Sequence, residues 1–207
     1  MRIEKTQQYK CRIGGNCMRV SWPEVLEEIY SCEKCRLRAT CTHVVPGEGS
    51  PNADIMFVGE GPGQDEDRLG RPFVGASGQL LTQMIHAIGM ERTEVYIANV
   101  VKCRPPHNRN PEPDEVQACL PHLRAQFALI RPKIVVLLGR VPLQALLGGT
   151  SIMRERGVWQ ERKGTWFMPT FHPSFLLRDP SQKRAAWEDF KQIRDKLAEL
   201  KAAERGE

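Results

Sequence analysis

The sequence predicts an α/β protein: a three-layer α/β/α sandwich around a central, mostly parallel four-stranded sheet. The first observation behind this is that the continuous apolar runs Ile55-Met56-Phe57-Val58 and Ile134-Val135-Val136-Leu137-Leu138 each end in glycine, as strands buried on both faces do. The second is that amphipathic helical stretches separate such runs, giving the order strand, helix, strand, helix, strand. That alternation packs helices on both faces of a parallel sheet and opens a ligand crevice beyond the carboxyl ends of the strands.

Residues 1–20 carry basic, polar and Gly-rich stretches without clear periodicity and read as a loosely ordered extension before a single domain over residues 21–207. Ser21 is then a candidate N-cap, with Pro23 near the first helical position, for a helix over residues 22–30 whose Trp22, Val25, Leu26 and Ile29 share one face. This helix delivers the chain into Cys32 and Cys35. After a Pro/Gly-rich link over residues 46–52 comes the first strand. Residues 75–89 read as a helix with Leu80, Leu81, Met84, Ile85 and Ile88 on one face, followed by a strand over residues 95–101. A second helix over residues 113–131, capped by Asn110 or Asp114, leads into the strand that begins at Ile134. A short helix over residues 141–147, a hairpin-like segment over 158–168 and a long charged helix over 181–203 follow. There is no internal repeat.

Composition sets the bounds. With 207 residues and 41% hydrophobic content, the chain can bury one substantial core. Lys and Arg outnumber Asp and Glu by 30 to 25. That mild excess suits a polyanionic partner and equally an ordinary solvated surface. No apolar run approaches the roughly 18 residues needed to cross a bilayer, and no apolar signal core follows Met1, so a cytoplasmic, non-membrane protein is expected. A monomer is the working expectation, although no feature of the sequence speaks to oligomeric state. Seven cysteines are many for such a chain, and in a reducing compartment clustered cysteines favour metal or catalysis over disulfides.

Cys32 and Cys35 are separated by two residues, a spacing that brings two thiolates to one metal centre without straining the backbone. Cys103 closes a predicted strand and Cys119 lies in the first turns of the next helix, so the returning loop can bring both to the same place. Four thiolates suit zinc or an iron-sulfur cube, and spacing does not choose between them. Cys41 can compete as a ligand, whereas Cys11 and Cys17 read as ordinary thiols in the extension.

Three loops face the expected crevice. Gly59-Glu60-Gly61-Pro62-Gly63 follows the first strand and brings backbone close to a ligand with Glu60 among the glycines; a tight turn carrying a solvated acidic patch fits the same residues. It is no dinucleotide fingerprint, because the spacing differs and Pro62 lacks an amide donor. Asn99-Val100-Val101-Lys102-Cys103-Arg104 follows the second strand. An Asn there either caps a turn or reads a pyrimidine, donating to a carbonyl and accepting from ring N3–H as uracil but not cytosine allows. Lys102 and Arg104 suit phosphates. In Phe171-His172-Pro173-Ser174-Phe175-Leu176-Leu177-Arg178, His172 can donate to charge developing on a leaving base. Ser174 and Arg178 can bind phosphate, and Leu176 or Leu177 can wedge into the base stack.

Together with Arg71-Pro72-Phe73-Val74-Gly75 and the four cysteines, the order and spacing of these motifs resemble family 4 of the uracil-DNA glycosylases over residues 22–200. The resemblance, not the spacing, implies a 4Fe-4S cluster on Cys32, Cys35, Cys103 and Cys119 and uracil-containing DNA as the partner. It also implies that Glu60, Gly61 and Pro62 line the uracil pocket, that Phe73 stacks on the flipped base, that Asn99 reads its edge and that His172 contacts it during cleavage. Glu66 resembles the position whose bulk keeps out the thymine methyl group. Gly61 stands where faster relatives carry an Asp, so water positioning falls to Glu60. The implied reaction is hydrolysis of the N-glycosidic bond, releasing uracil and leaving an abasic site. The alternatives are a cluster-bearing relative that traps uracil-DNA covalently through a His, with His107 as candidate, or one without turnover, and a zinc-stabilised nucleotide-binding module. No Lys/Arg-rich insertion follows Pro106, which favours turnover over trapping.

Overall fold

The computed structural model describes residues 9–13 and 16–206; residues 1–8, 14–15 and 207 lie outside the described residues, and with them part of the expected N-terminal extension. Within that extension, β1 (Tyr9–Ile13) and β2 (Asn16–Val20) pair antiparallel, a ladder for which the sequence offers no periodic signal. The helix α1 (Trp22–Tyr30) starts as read: the Ser21 amide and hydroxyl donate to the Glu24 carboxylate at 2.8 and 2.7 Å, a reciprocal cap that fixes where the chain turns into the helix.

The main sheet has six strands rather than four. Its members are β3 (Glu48–Gly49), β4 (Ile55–Gly59), β5 (Tyr96–Asn99), β6 (Ile134–Leu138), β7 (Gln160–Arg162) and β8 (Thr165–Thr170), in the order β3-β5-β4-β6-β8-β7. The inner four are parallel, as predicted, and the two added strands are short antiparallel edges. Every residue of β4 and β6 is buried, which is why their sequences are apolar throughout instead of alternating.

Alternate residues of these strands feed two cores. Ile55, Phe57, Ile97, Ile134, Val136 and Met168 pack against Leu81 and Ile85 of α3 (Ala76–Ala87) and Phe190, Ile193 and Leu197 of α8 (Lys183–Arg205). On the other face Met56, Val58, Ala98, Val135 and Leu137 pack against Leu123 and Ile130 of α4 (Pro113–Ile130) and against α5 (Arg140–Leu147). Val25 and Ile29 of α1 lie on Ala125 and Leu129, outside α4. Three short helices complete the layers: α2 (Gln64–Leu69) and α7 (Pro173–Arg178), both in segments read as loops, and α6 (Ile152–Glu155). Among the described residues no helix is long and apolar enough to cross a membrane.

The chain lays down β4, places β5 on one side of it, then crosses to put β6 and β8 on the other side. Strand order therefore reverses about β4, and a crevice opens where crossovers depart in opposite directions. The loops after β4, β5, β6 and β8 converge there.

One cap departs from expectation. The N-cap of α4 is Glu112, not Asn110 or Asp114, because Glu115 reaches back to accept from the Glu112 amide at 2.8 Å. Fully buried Glu115 also accepts from Arg36 Nε at 2.7 Å and from the Arg109 guanidinium at 2.7 and 2.8 Å. It ties the segment after Cys35 to the loop before α4. Arg109 first, then Arg36, holds its carboxyl down to about 2. The stabilisation is complete above the usual carboxylate range and disappears as pH falls through that range toward about 2. Glu115→Gln is expected to lower stability by about 1–2 kcal/mol, a moderate value because Arg36 stays largely exposed. It should also flatten the loss of stability between about pH 5 and 3, as measured by chemical denaturation.

Candidate active site and metal centre

A cleft of about 670 Å³ lies at the reversal point, lined among others by Glu60, Gly61, Pro62, Glu66, Phe73, Asn99, Arg140, His172 and Arg178. Its floor depends on Gly59: a Cβ there would stand 2.4 Å from Asn99 Oδ1 and 2.5 Å from Phe73 Cζ. Only a bare Cα lets the amide and the aromatic ring meet over the end of β4.

Phe73 is held in the left-handed region at φ 49°, uncommon for a bulky residue and worth roughly 1–3 kcal/mol of strain. Two neighbours fix it. A Cβ on Gly78 of α3 would collide with the Phe73 carbonyl at 1.9 Å, so helix and loop are in direct backbone contact. Glu66, nearly buried, accepts from the Val74 and Gly75 amides at 2.8 and 2.9 Å and from the Gly63 amide at 3.1 Å. Its carboxylate thus joins the loop after β4 to the loop that presents Phe73.

Asn99 ends β5 with 2% of its surface exposed, and its Oδ1 has no hydrogen-bond partner. A buried carbonyl oxygen left unpaired costs about 1–3 kcal/mol. A ligand N–H arriving in the cleft would satisfy it.

His172 caps α7. The Ser174 amide donates to His172 Nδ1 at 3.1 Å, and Ser174 Oγ lies 2.8 Å from the same nitrogen. A ring nitrogen that accepts from an amide carries no proton, so the neutral ring bears its hydrogen on Nε2. Burial, with a smaller contribution from Arg178, holds the imidazole down to about 4. At neutral pH the ring is an uncharged donor, with its centroid 5.6 Å from that of Phe73.

Glu60 is half-buried, and burial raises its carboxyl above the usual range while Arg140 opposes the shift. With its amide turned to satisfy both neighbours, Asn110 donates to Glu60 Oε1 at 3.1 Å and accepts from Arg140 at 3.0 Å. Neither Asn110 nor Arg140 was singled out from sequence as part of the site. Arg140 directly follows a buried strand and Gly139, and that strand-end position was the available signal. His107, at φ 54°, is exposed in the loop that carries Asn108 and Asn110 to the cleft.

Two expected DNA contacts are corrected. Lys102 is 2% exposed; its Nζ donates to the Asn99 carbonyl at 3.0 Å and to Gln126 Oε1 at 2.7 Å, and burial lowers it to about 8. An ammonium sealed in the interior cannot reach a phosphate. Leu176 is 1% exposed and packs with Phe171 and Ala186, so it cannot enter a base stack, whereas its neighbour Leu177 is 44% exposed. The helix α7 turns consecutive side chains about 100° apart, sending one inward and the next outward. Arg178 is exposed at the rim, Ser174 is engaged with His172, and Arg104 donates to Asn108 Oδ1 at 2.7 Å.

Behind β5, on the α4 side of the sheet, Cys32, Cys35, Cys103 and Cys119 line one small cavity together with Lys34, Arg38, Lys102 and His122. The Lys102 amide donates to Cys119 Sγ at 3.3 Å. Burial pushes the Cys103 thiol up, with Cys41, Cys119 and Cys35 adding to the shift; burial also raises Cys119, with Lys102 opposing. Four thiols opening on one space, bordered by cations and met by a backbone donor, fit an anionic iron-sulfur thiolate group. Among the described residues no three donors close on a single ion. Cys41 sits against Cys103, while the side chains of Cys11 and Cys17 lie outside the described residues.

A doubly wound sheet carries an aromatic ring, an unpaired amide oxygen and a neutral imidazole at its reversal point, an arrangement that suits a planar, hydrogen-bonding ring. Residues 46–191 match the family described as the Uracil DNA glycosylase superfamily. The chain is 50% identical over 185 residues, 84% of each sequence, to the Type-4 uracil-DNA glycosylase of Sulfurisphaera tokodaii. It is 44% identical over 182 residues to that of Archaeoglobus fulgidus, covering 84% of this chain and 92% of the relative. Against that of Thermotoga maritima it is 45% identical over 177 residues, with 82% and 91% covered. The chain belongs to the uracil DNA glycosylase superfamily, within its type-4 group.

Proposed function

We propose that the chain is a DNA-repair glycosylase that accepts a uracil flipped out of DNA and hydrolyses its N-glycosidic bond, leaving an abasic site. The unpaired, buried Oδ1 of Asn99 carries the reading. It accepts from uracil N3–H while the amide nitrogen donates to a ring carbonyl; cytosine, with no hydrogen on N3, leaves the oxygen orphaned. Phe73 supplies a stacking face worth about 1–3 kcal/mol. Glu60, Gly61 and Pro62 form the wall beside it. Glu66 fixes that wall and the Phe73 loop through its three amide contacts, and in doing so sets the space left for a 5-substituent.

Cleavage breaks the bond between C1′ and N1. The bonding pair leaves with the base, charge accumulates on a uracil oxygen, and His172 Nε2–H donates to it. A neutral imidazole keeps its proton through this step and acts by hydrogen bonding. Water adds to the electron-poor C1′, and its proton passes to Glu60, which Asn110 holds toward the cleft. Cys32, Cys35, Cys103 and Cys119 would hold a 4Fe-4S cluster, which would supply a rigid link between the segment after α1 and helix α4; the hydrolysis itself moves no electrons to or from a metal.

Leu177 and Arg178 stand at the rim as the wedge and a phosphate contact, with Arg104 and Ser174 as further polar contacts. Arg178→Ala is expected to reduce the slope of log affinity against log salt for duplex DNA by about one, whereas Lys102→Met leaves the slope unchanged. Equal slopes for Arg178→Ala and the unaltered chain would remove Arg178 from the interface. The function itself is tested by incubating the protein with a uracil-containing oligonucleotide, followed by alkaline cleavage. Strand scission at uracil with turnover is expected. Binding without scission would leave only a DNA-binding role, and an adduct that survives denaturant would favour covalent trapping.

A further inference from the structure

His122 follows Cys119 by one turn of α4, so the two side chains lie on the same face of the helix. It is 2% exposed, lines the cavity into which the four cysteines open, and its Nε2 has no hydrogen-bond partner. Native interiors rarely leave such an atom unpaired. The other described side chains lining that cavity are aliphatic or cationic, so among the described residues the cysteine sulfurs are the only side-chain acceptors there. A ring N–H in this position has sulfur to donate to and nothing else among the side chains.

We infer that His122 donates its Nε2–H to a sulfur of the cluster held by Cys32, Cys35, Cys103 and Cys119. The inference rests on the cluster reading given under the proposed function. Such a bond would be the second donor at the site, beside the Lys102 amide on Cys119. Hydrogen bonds to cluster sulfurs spread their negative charge, favour the more reduced state and hold the ligands in place. His122 is then a positioning residue for the metal centre, remote from the reacting base.

The test compares the intact protein with His122→Phe, which keeps a ring but no donor, and His122→Gln, which keeps an N–H. Iron and sulfide content, the rate at which a chelator bleaches the visible band, and the midpoint potential are read for each. The Phe variant is expected to bleach roughly threefold to tenfold faster and to shift to a more negative potential, with Gln restoring both toward the starting values. If the Phe variant matches the intact protein in rate and potential, the inference fails. Should the Phe variant not assemble, isotope-labelled histidine in the unaltered protein decides: one ring N–H should exchange slowly and be displaced by the paramagnetic cluster, and its absence refutes the bond. A colourless, iron-free protein would instead overturn the cluster reading itself, an outcome distinct from an iron-loaded protein indifferent to His122.

Discussion

Replacing His172 with alanine is expected to lower the single-turnover rate of uracil release by about 10²- to 10³-fold, the range for removing one pre-placed donor to a developing anion. The fold should survive, because the ring's contacts are few: Ser174 through Nδ1 and Phe73 through ring contact. Affinity for uracil-containing DNA should change little, since the bond strengthens only as charge moves onto the base. The depressed pKa makes a further distinction. Burial holds the imidazole down to about 4, so the ring is neutral across the physiological range and rate should not fall between about pH 6 and 8 from its titration. A kinetic pKa near the ordinary histidine value that vanished in His172→Ala would mean that the ring is protonated in the complex and acts as a charged group.

Asn99→Ala is expected to be comparably damaging for another reason. Without the amide, two polar edges of the bound uracil enter a buried pocket unpaired. At about 1.5 to 2 kcal/mol each, the loss in kcat/KM is about 10²- to 10³-fold. Stability should fall less than for most buried polar residues, because Oδ1 has no partner in the unliganded protein to lose. Discrimination should collapse as well, the preference for uracil over cytosine narrowing together with the rate. A variant that lost rate but kept its full preference would show that base selection lies elsewhere in the cleft.

The legibility of the sequence followed the range of the interactions. Strands β4 and β6 are readable because burial on both faces leaves an unbroken apolar run. The strand β5 ends at Asn99 rather than at residue 101: Val100 and Val101 are equally apolar but lie beyond the strand, where the chain turns toward Cys103. The edges β3 and β7, two and three residues long, lack the length for any periodic signal. Helix α2 escapes because it is short and acidic, its start set by Glu66 reaching back to the Gly63 amide.

Within the site, motif order identified Glu60, Phe73, Asn99 and His172 as residues that the fold brings to one cleft. Lys102 is set by a partner distant in sequence, Leu176 and Asn110 by the local geometry of a helix. Lys102 is buried because Gln126, on α4, accepts its ammonium, and nothing near Lys102 announces that. Leu176 and Leu177 are indistinguishable until α7 sets which of them faces Phe171. The helix cap that the sequence offers to Asn110 or Asp114 is provided by Glu112 and Glu115 between them, which leaves the Asn110 amide for Glu60 and Arg140.

In this protein an unpaired amide and a neutral imidazole are expected to select uracil and release it. Single-turnover release of free base from two oligonucleotides identical except for uracil or cytosine at one position, with the unaltered protein and Asn99→Ala side by side, tests it most directly. Rapid release of uracil alone by the unaltered protein is expected, with loss of both rate and preference in the variant. Release of cytosine at a similar rate, or undiminished uracil release by Asn99→Ala, would contradict it.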